Sequence, residues 1–384
     1  VRIADRIRDI PKSGIRDFFE LVQNREDVIS LGIGEPDFAT PWHIREAAIY
    51  ALEKGRTGYT SNLGLPRLRR AIATYQEQHM GVAYNPHSEI LVSVGVSEAI
   101  DLALRAILNP GDEVLYHEPC YVSYAPTIVM AGGTARAVPT LASEGFALNP
   151  ERLADSITPA TKVLMLNFPT NPTGGTLDRA GLAAIAKVCT DNNLIVLTDE
   201  IYSELLYDNV EHTSLAAFEG MRERTLVLHG VSKAYAMTGW RIGFACGPEE
   251  IIDAMMKIHQ YSILCAPLMG QDAAIEALER GGTAMRSMRE AYELRRNYIV
   301  SAMDDAGLPC HKPSGTFYVF PDISGTGLSS HDFAVRLLDQ ENVAVVPGDA
   351  FGPGGKGHVR CSFATSLEKI KVATAKITSF CSSL

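Results

Sequence analysis

A lysine and an arginine eight positions apart, Lys233 and Arg241, stand in the stretch TLVLHGVSKAYAMTGWRIGFACG, residues 225–247. A lysine amine attacks a carbonyl only when part of it is neutral, and burial or a neighbouring cation such as Arg241 lowers its pKa toward that condition. Arg241 itself presents a rigid fork of donors that suits a phosphate. The pair predicts an imine-forming lysine beside an anion site. Taken alone, it fits a solvated loop lysine equally well.

Three further segments add chemistry to this pair. In LIVLTDEIY, residues 194–202, a short apolar strand ends on Asp199, and ligands bind at the carboxyl ends of parallel strands. An aspartate there can keep a pyridine nitrogen protonated and make the ring an electron sink, with Tyr202 in reach of the ring hydroxyl; it would also suit a helix N-cap. In VLMLNFPTNPTGG, residues 163–175, Asn171 offers a neutral amide to a ring oxygen, or marks an ordinary Asn-Pro turn. In HVRCSFAT, residues 358–365, Arg360 can clamp a carboxylate through two parallel hydrogen bonds. Together these residues point to pyridoxal 5′-phosphate and an amino acid.

The set Asn171-Pro172, Asp199 with Tyr202, Ser232-Lys233, Arg241 and Arg360, in that order, resembles the fold-type I pyridoxal-phosphate-dependent aminotransferases of class I/II. SLGIGEPDF (residues 30–38), AMTGWRIGF (236–244) and GTFYVFPD (315–322) resemble the prokaryotic aspartate and aromatic branch of that family. The resemblance covers nearly the whole chain. It implies an α/β fold with a large domain, a mostly parallel sheet sandwiched by helices, plus a smaller α/β domain built from the N- and C-terminal segments. The expected division is an N-terminal arm and part of the small domain over residues 1–40, the large cofactor-binding domain over 41–285, and the small C-terminal domain over 286–384.

The resemblance also implies roles. Lys233 would hold the cofactor as an aldimine in a ping-pong transfer and act as general base, with Asp199 at the ring nitrogen and Asn171 and Tyr202 at the ring oxygen. Tyr121 would stack on the ring. Val96, Ser97, Ser232 and Arg241 would hold the phosphate, and Tyr59 would reach the phosphate of a partner subunit, implying a homodimer. Gly34, Asn171 and Arg360 would contact the substrate. Relatives often carry a serine three residues before the lysine and a second glycine at position 96; here Gly230 and Val96 stand there. For the substrate side chain, Arg105 is a candidate for a distal carboxylate across the dimer interface, or a plain surface arginine, and Ile15, Ile33 and Tyr121 are candidates for an apolar wall. The acceptor implied is 2-oxoglutarate.

The elements that must position these residues read as alternating strands and helices, a pattern that argues for a mostly parallel sheet covered on both sides. ILVSVGVSEAIDLALRAIL, residues 90–108, is a strand, a glycine turn and a helix starting near Ser97, whose free N–H groups and dipole make a phosphate cradle. Thr40-Pro41 predicts a capped helix with Ile44, Ala48 and Leu52 on one face. IRDFFELVQ, from Ile15, is helix-like, and a long helical tract runs from Pro248 to about Ala306. The glycine-rich stretch 348–357 reads as a loop.

With 45 acidic against 35 basic residues, the formal charge of −10 disfavours nucleic acid or an anionic membrane as partner. The chain's 384 residues suffice for two sizeable cores. Its seven scattered cysteines form no metal or redox motif, so no metal is expected. The N-terminus lacks an apolar signal core and no run approaches a membrane span, which predicts a cytoplasmic protein. Two rivals remain at this point. One is a β/γ-lyase on the same scaffold, such as a C–S lyase. The other is a pyridoxal-phosphate-binding regulator, for which a pattern beginning by about residue 15 leaves no DNA-binding unit.

Overall fold

The computed structural model describes residues 2–8, 10, 11, 14, 25 and 27–384; the helix-like stretch from Ile15, and Ile15 itself, lie outside the described residues. The strands in chain order are β1 (Ile29–Ser30), β2 (Ile90–Ser93), β3 (Glu113–Glu118), β4 (Thr134–Pro139), β5 (Thr161–Leu166), β6 (Ile195–Asp199), β7 (Thr225–Gly230), β8 (Gly243–Cys246), β9 (Tyr318–Val319), β10 (Val343–Ala344), β11 (Val346–Pro347) and β12 (Val359–Ser362).

Seven strands form one sheet in the order β2-β8-β7-β6-β5-β3-β4. β8 runs antiparallel to both its neighbours, and the other pairs are parallel. The apolar runs of the inner strands β5 to β8 are what a sheet buried on both faces requires, while edge strand β4 is largely exposed. Leu197, Leu226 and Leu228 pack on one face with the helix Gly95–Ile107. Leu164 and Val196 pack on the other with the helix Arg179–Asp191. This order brings the carboxyl ends of β2, β3, β5, β6 and β7 to one edge. The start of β8 comes to the same edge because β8 is reversed, so Arg241, just before β8, faces residues that follow the other strands.

A second core gathers Leu31, Phe317, Phe333, Leu337, Phe363, Ile370 and Phe380. Here β1 pairs in parallel with β10, Ile29 opposite Val343, so the N-terminal segment joins the C-terminal one. β11, β12 and β9 form an antiparallel sheet with β12 in the centre.

Local details depart from the sequence pattern. The helix Trp42–Glu53 has Pro41 at its N-cap and no side-chain cap. Thr40 instead donates its hydroxyl to the Ala236 carbonyl at 2.5 Å and accepts from Trp240 Nε1 at 2.9 Å. That helix buries Ile44, Ala48 and Ala51, while Leu52 stays 52% exposed, because Leu52 lies a further 100° round the axis from Ala51. The helix expected to start near Ser97 starts at Gly95. The long tract is three helices, Glu249–Ser262, Leu268–Arg280 and Gly282–Asp305.

Candidate active site

A cleft of about 780 Å³ opens where these strand ends meet the second core. Gly34, Val96, Ser97, Tyr121, Asn171, Asp199, Tyr202, Ser232, Lys233, Arg241 and Arg360 all line it. Three predicted residues do not. Tyr59 is 85% exposed on the chain's own surface, and Arg105 pairs with Asp101 one helical turn away, at 3.3 Å. Ile33 is also half-exposed and does not line the cleft.

Lys233 follows β7 and turns its Nζ to the Gly34 carbonyl, 2.7 Å away. Burial draws its pKa down to about 8; Arg360 and Arg241 push the same way, and Glu35 and Asp199 oppose them. The amine is therefore partly neutral near pH 8, the condition for attack on a carbonyl.

Asp199 ends β6 and is buried. The chain after it turns rather than entering a helix, so it is no helix cap. Its Oδ2 accepts from Tyr124 Oη at 2.8 Å and its Oδ1 from the Ile201 N–H at 3.2 Å. Burial nonetheless lifts its pKa to about 6, against those hydrogen bonds. Such a carboxylate is poised for a cationic partner.

Arg360, on central strand β12, is also buried. Nη1 donates to Asn171 Oδ1 at 2.9 Å and Nη2 to the Gly32 carbonyl at 2.7 Å, while Nε is buried without a partner. The guanidinium lies 4.3 Å from the Tyr318 ring centre.

The cradle forms where Gly95 opens its helix with φ of 74°. Arg241 lies against it in the left-handed region, φ 57°, a conformation an arginine holds only when its surroundings impose it. A Cβ built on Gly95 would come within 2.5 Å of Arg241 Nη2, and one on Gly243 within 2.5 Å of Val96 N. Helix start and guanidinium therefore meet with no room for a side chain between them, and the first-turn N–H groups stay free for an anion.

The family Aminotransferase class I and II matches residues 26–377. The chain belongs to this family. The aminotransferase is 44% identical to the aspartate aminotransferase of Pyrococcus abyssi, over 97% of this chain and 96% of that one. It is 43% identical to aromatic-amino-acid aminotransferase 2 of Thermococcus litoralis, with the same coverage. The solved aspartate aminotransferase of Thermus thermophilus with maleate superposes with a TM-score of 0.94, at 39% identity and 99% coverage of both chains.

Packing accounts for Gly230 in this aminotransferase. A Cβ there would meet the Ile242 carbonyl at 2.8 Å and Gly243 Cα at 3.0 Å, so β7 and β8 leave no space for a serine. Sequence reasoning missed Tyr124, Asn167, Tyr318 and Glu35, which also line the cleft. Asn167 follows β5 as Lys233 follows β7; its Nδ2 donates to the Asp199 carbonyl at 2.8 Å, and its Oδ1 accepts from Asn171 N at 3.2 Å. The strand-end rule that singled out Asp199 would have found it. Tyr318 shares a hydrogen bond with Tyr202, hydroxyl to hydroxyl at 3.1 Å, a pairing that no local signal announces.

Proposed function

We propose that this aminotransferase binds pyridoxal 5′-phosphate in the cleft and moves the amino group of an L-amino acid to a 2-oxo acid such as 2-oxoglutarate. The observation that carries the reading is the enclosed amine of Lys233, held between a buried carboxylate, Asp199, and a buried guanidinium, Arg360. The donor is aspartate, an aromatic or another neutral amino acid, as the names of the two relatives suggest. Lys233, Arg241 and Arg360 are the cations among the described residues that line the cleft. With these three engaged, a distal carboxylate would have to be met by hydroxyls or by a partner subunit.

The residues present fit the cofactor. The cradle between Gly95 and Arg241 suits a phosphate, and the unpartnered Nε of Arg360 marks an anion site. Ser97, the backbone at Val96, Ser232 and Arg241 would hold the phosphate, with Tyr121 against the ring face. Asp199, kept in place by Tyr124, would sit at the ring nitrogen, and Asn171 and Tyr202 at the ring oxygen. When bound, pyridoxal phosphate supplies an aldehyde for an amine and a ring that accepts an electron pair.

The chain's own side chains do the rest. Arg360 keeps a second N–H on each of Nη1 and Nη2 for the substrate carboxylate, which fixes the Cα–H bond in direction. Lys233 Nζ would take that proton and hold it for return, and a pKa lowered to about 8 in the unloaded protein leaves the amine neutral enough to accept it. Gly34, whose carbonyl faces Lys233, would border the substrate.

We further propose a homodimer in which Tyr59 reaches the partner's phosphate. Its exposure, with that of Trp42, Tyr50 and Tyr261, supports a covered surface. No helix among the described residues is long and apolar enough to cross a membrane. A division at residues 40 and 285 is supported by the two cores, although the helix Gly282–Asp305 runs unbroken across the second boundary. The test is a donor panel of aspartate, phenylalanine, tyrosine, kynurenine and alanine with 2-oxoglutarate, read as glutamate formed. Failure of every donor to yield glutamate would sink the reading.

A further inference from the structure

Glu98 stands on the first turn of the helix Gly95–Ile107, where a negative charge should weaken an anion site beside it. Its carboxylate does not line the cleft. Instead Oε2 accepts the Val94 N–H at 2.5 Å, and Oε1 accepts Nδ1–H of His259 at 2.8 Å. His259 comes from the helix Glu249–Ser262 and is fully buried; its Nε2 has no partner. A buried imidazole with a single side-chain hydrogen bond, and one bare nitrogen, is costly unless that bond serves something. What it reaches is the residue just before the cradle. Val94 precedes Gly95, whose left-handed φ creates the close approach to Arg241. Ser93 Oγ pins the same turn from the other side by donating to the Gly95 carbonyl at 2.9 Å.

We propose that His259 and Glu98 are a positioning pair for the phosphate cradle: His259 orients the Glu98 carboxylate, which holds Val94 and leaves the N–H groups of the following turn aimed into the cleft. With both oxygens engaged by donors, the carboxylate opposes the anion less and fixes the turn. This rests on the pyridoxal phosphate reading above. The bland alternative, a pair that merely joins two packed helices, makes a different prediction. It would weaken binding of phosphorylated and unphosphorylated cofactor alike.

The test compares dissociation constants for pyridoxal 5′-phosphate and for pyridoxal, from the absorbance of the adduct with the full-length apo-protein. His259→Phe and Glu98→Ala are each expected to weaken pyridoxal phosphate about tenfold, the loss of one oriented hydrogen-bonding group, and to leave pyridoxal within about twofold. Glu98→Ala should do so although it removes a negative charge. His259→Asn, which keeps a donor near Nδ1, and Glu98→Gln, which keeps an acceptor for Val94, should stay close to wild type. An unchanged ratio of the two constants in His259→Phe and Glu98→Ala would overturn the pair; if His259→Phe does not fold, Glu98→Ala decides. A wild-type protein that forms no adduct with either aldehyde would instead remove the pyridoxal phosphate reading, and the pair with it.

Discussion

Arg360 Nη1 donates to Asn171 Oδ1 at 2.9 Å although 189 residues separate them in the chain. The bond crosses from β12 in the second core to the turn after β5 in the large sheet, and Nη2 reaches Gly32 in a third segment. A buried guanidinium held at both ends is a preorganised fork. Replacing it with Arg360→Leu should lower kcat/KM for amino and oxo acids about 10²-fold or more, from loss of a two-pronged charged contact. Arg360→Lys should recover little, since an ammonium is a point charge. Steady-state kinetics beside the cofactor's absorbance check this: the spectrum should be unchanged.

The lowered pKa of Lys233 has a pH signature. Capture of pyridoxal phosphate by the apo-protein should accelerate through pH 8 and then level off, whereas an ordinary lysine would keep accelerating toward 10.5. In the same apo-protein the unfolded chain binds more protons than the fold between about 8 and 10.5. Stability should therefore rise with pH across that window, the cost being fully present below it. Urea unfolding of Lys233→Met should show a flatter slope there, and that variant should be inactive.

Asp199 carries the opposite sign. Its folded pKa of about 6 lies above the ordinary 3.8, so the fold binds more protons between those values and the apo-protein should lose stability as pH rises through them. A cationic ring nitrogen beside it would pull that pKa back down. Carboxyl NMR of apo- and cofactor-loaded protein should show a titration near 6 that disappears on loading. Asp199→Ala should cut kcat by about 10²–10³, the scale of losing one preorganised electrostatic partner.

Position 230 should not tolerate a serine. The Ile242 carbonyl and Gly243 Cα would crowd its Cβ, so Gly230→Ser should destabilise the protein by about 1–3 kcal/mol without tightening phosphate binding. Thermal melts and cofactor titration check the two halves separately.

Much of this was legible in the chain because it is local. Asp199 and Lys233 stand at the ends of apolar runs, and such runs become buried parallel strands whose carboxyl ends carry ligands. The glycine turn before the helix Gly95–Ile107 was visible for the same reason, though not the residue at which the helix starts. Thr40 misled because Thr-Pro is a strong local helix signal, while its hydroxyl was claimed by Ala236 and Trp240 from far along the chain.

By itself the sequence determined which residues could do chemistry and which edge of a sheet would bear them, since side-chain type and strand periodicity are properties of neighbours in the chain. Only the tertiary structure decided that Tyr124 braces Asp199, that Arg241 closes over Gly95, and that Arg105 pairs with Asp101 on its own helix. Those distances depend on strand order and on the reversal of β8, which follow from how the helices cross between strands and pack, and no local pattern records them.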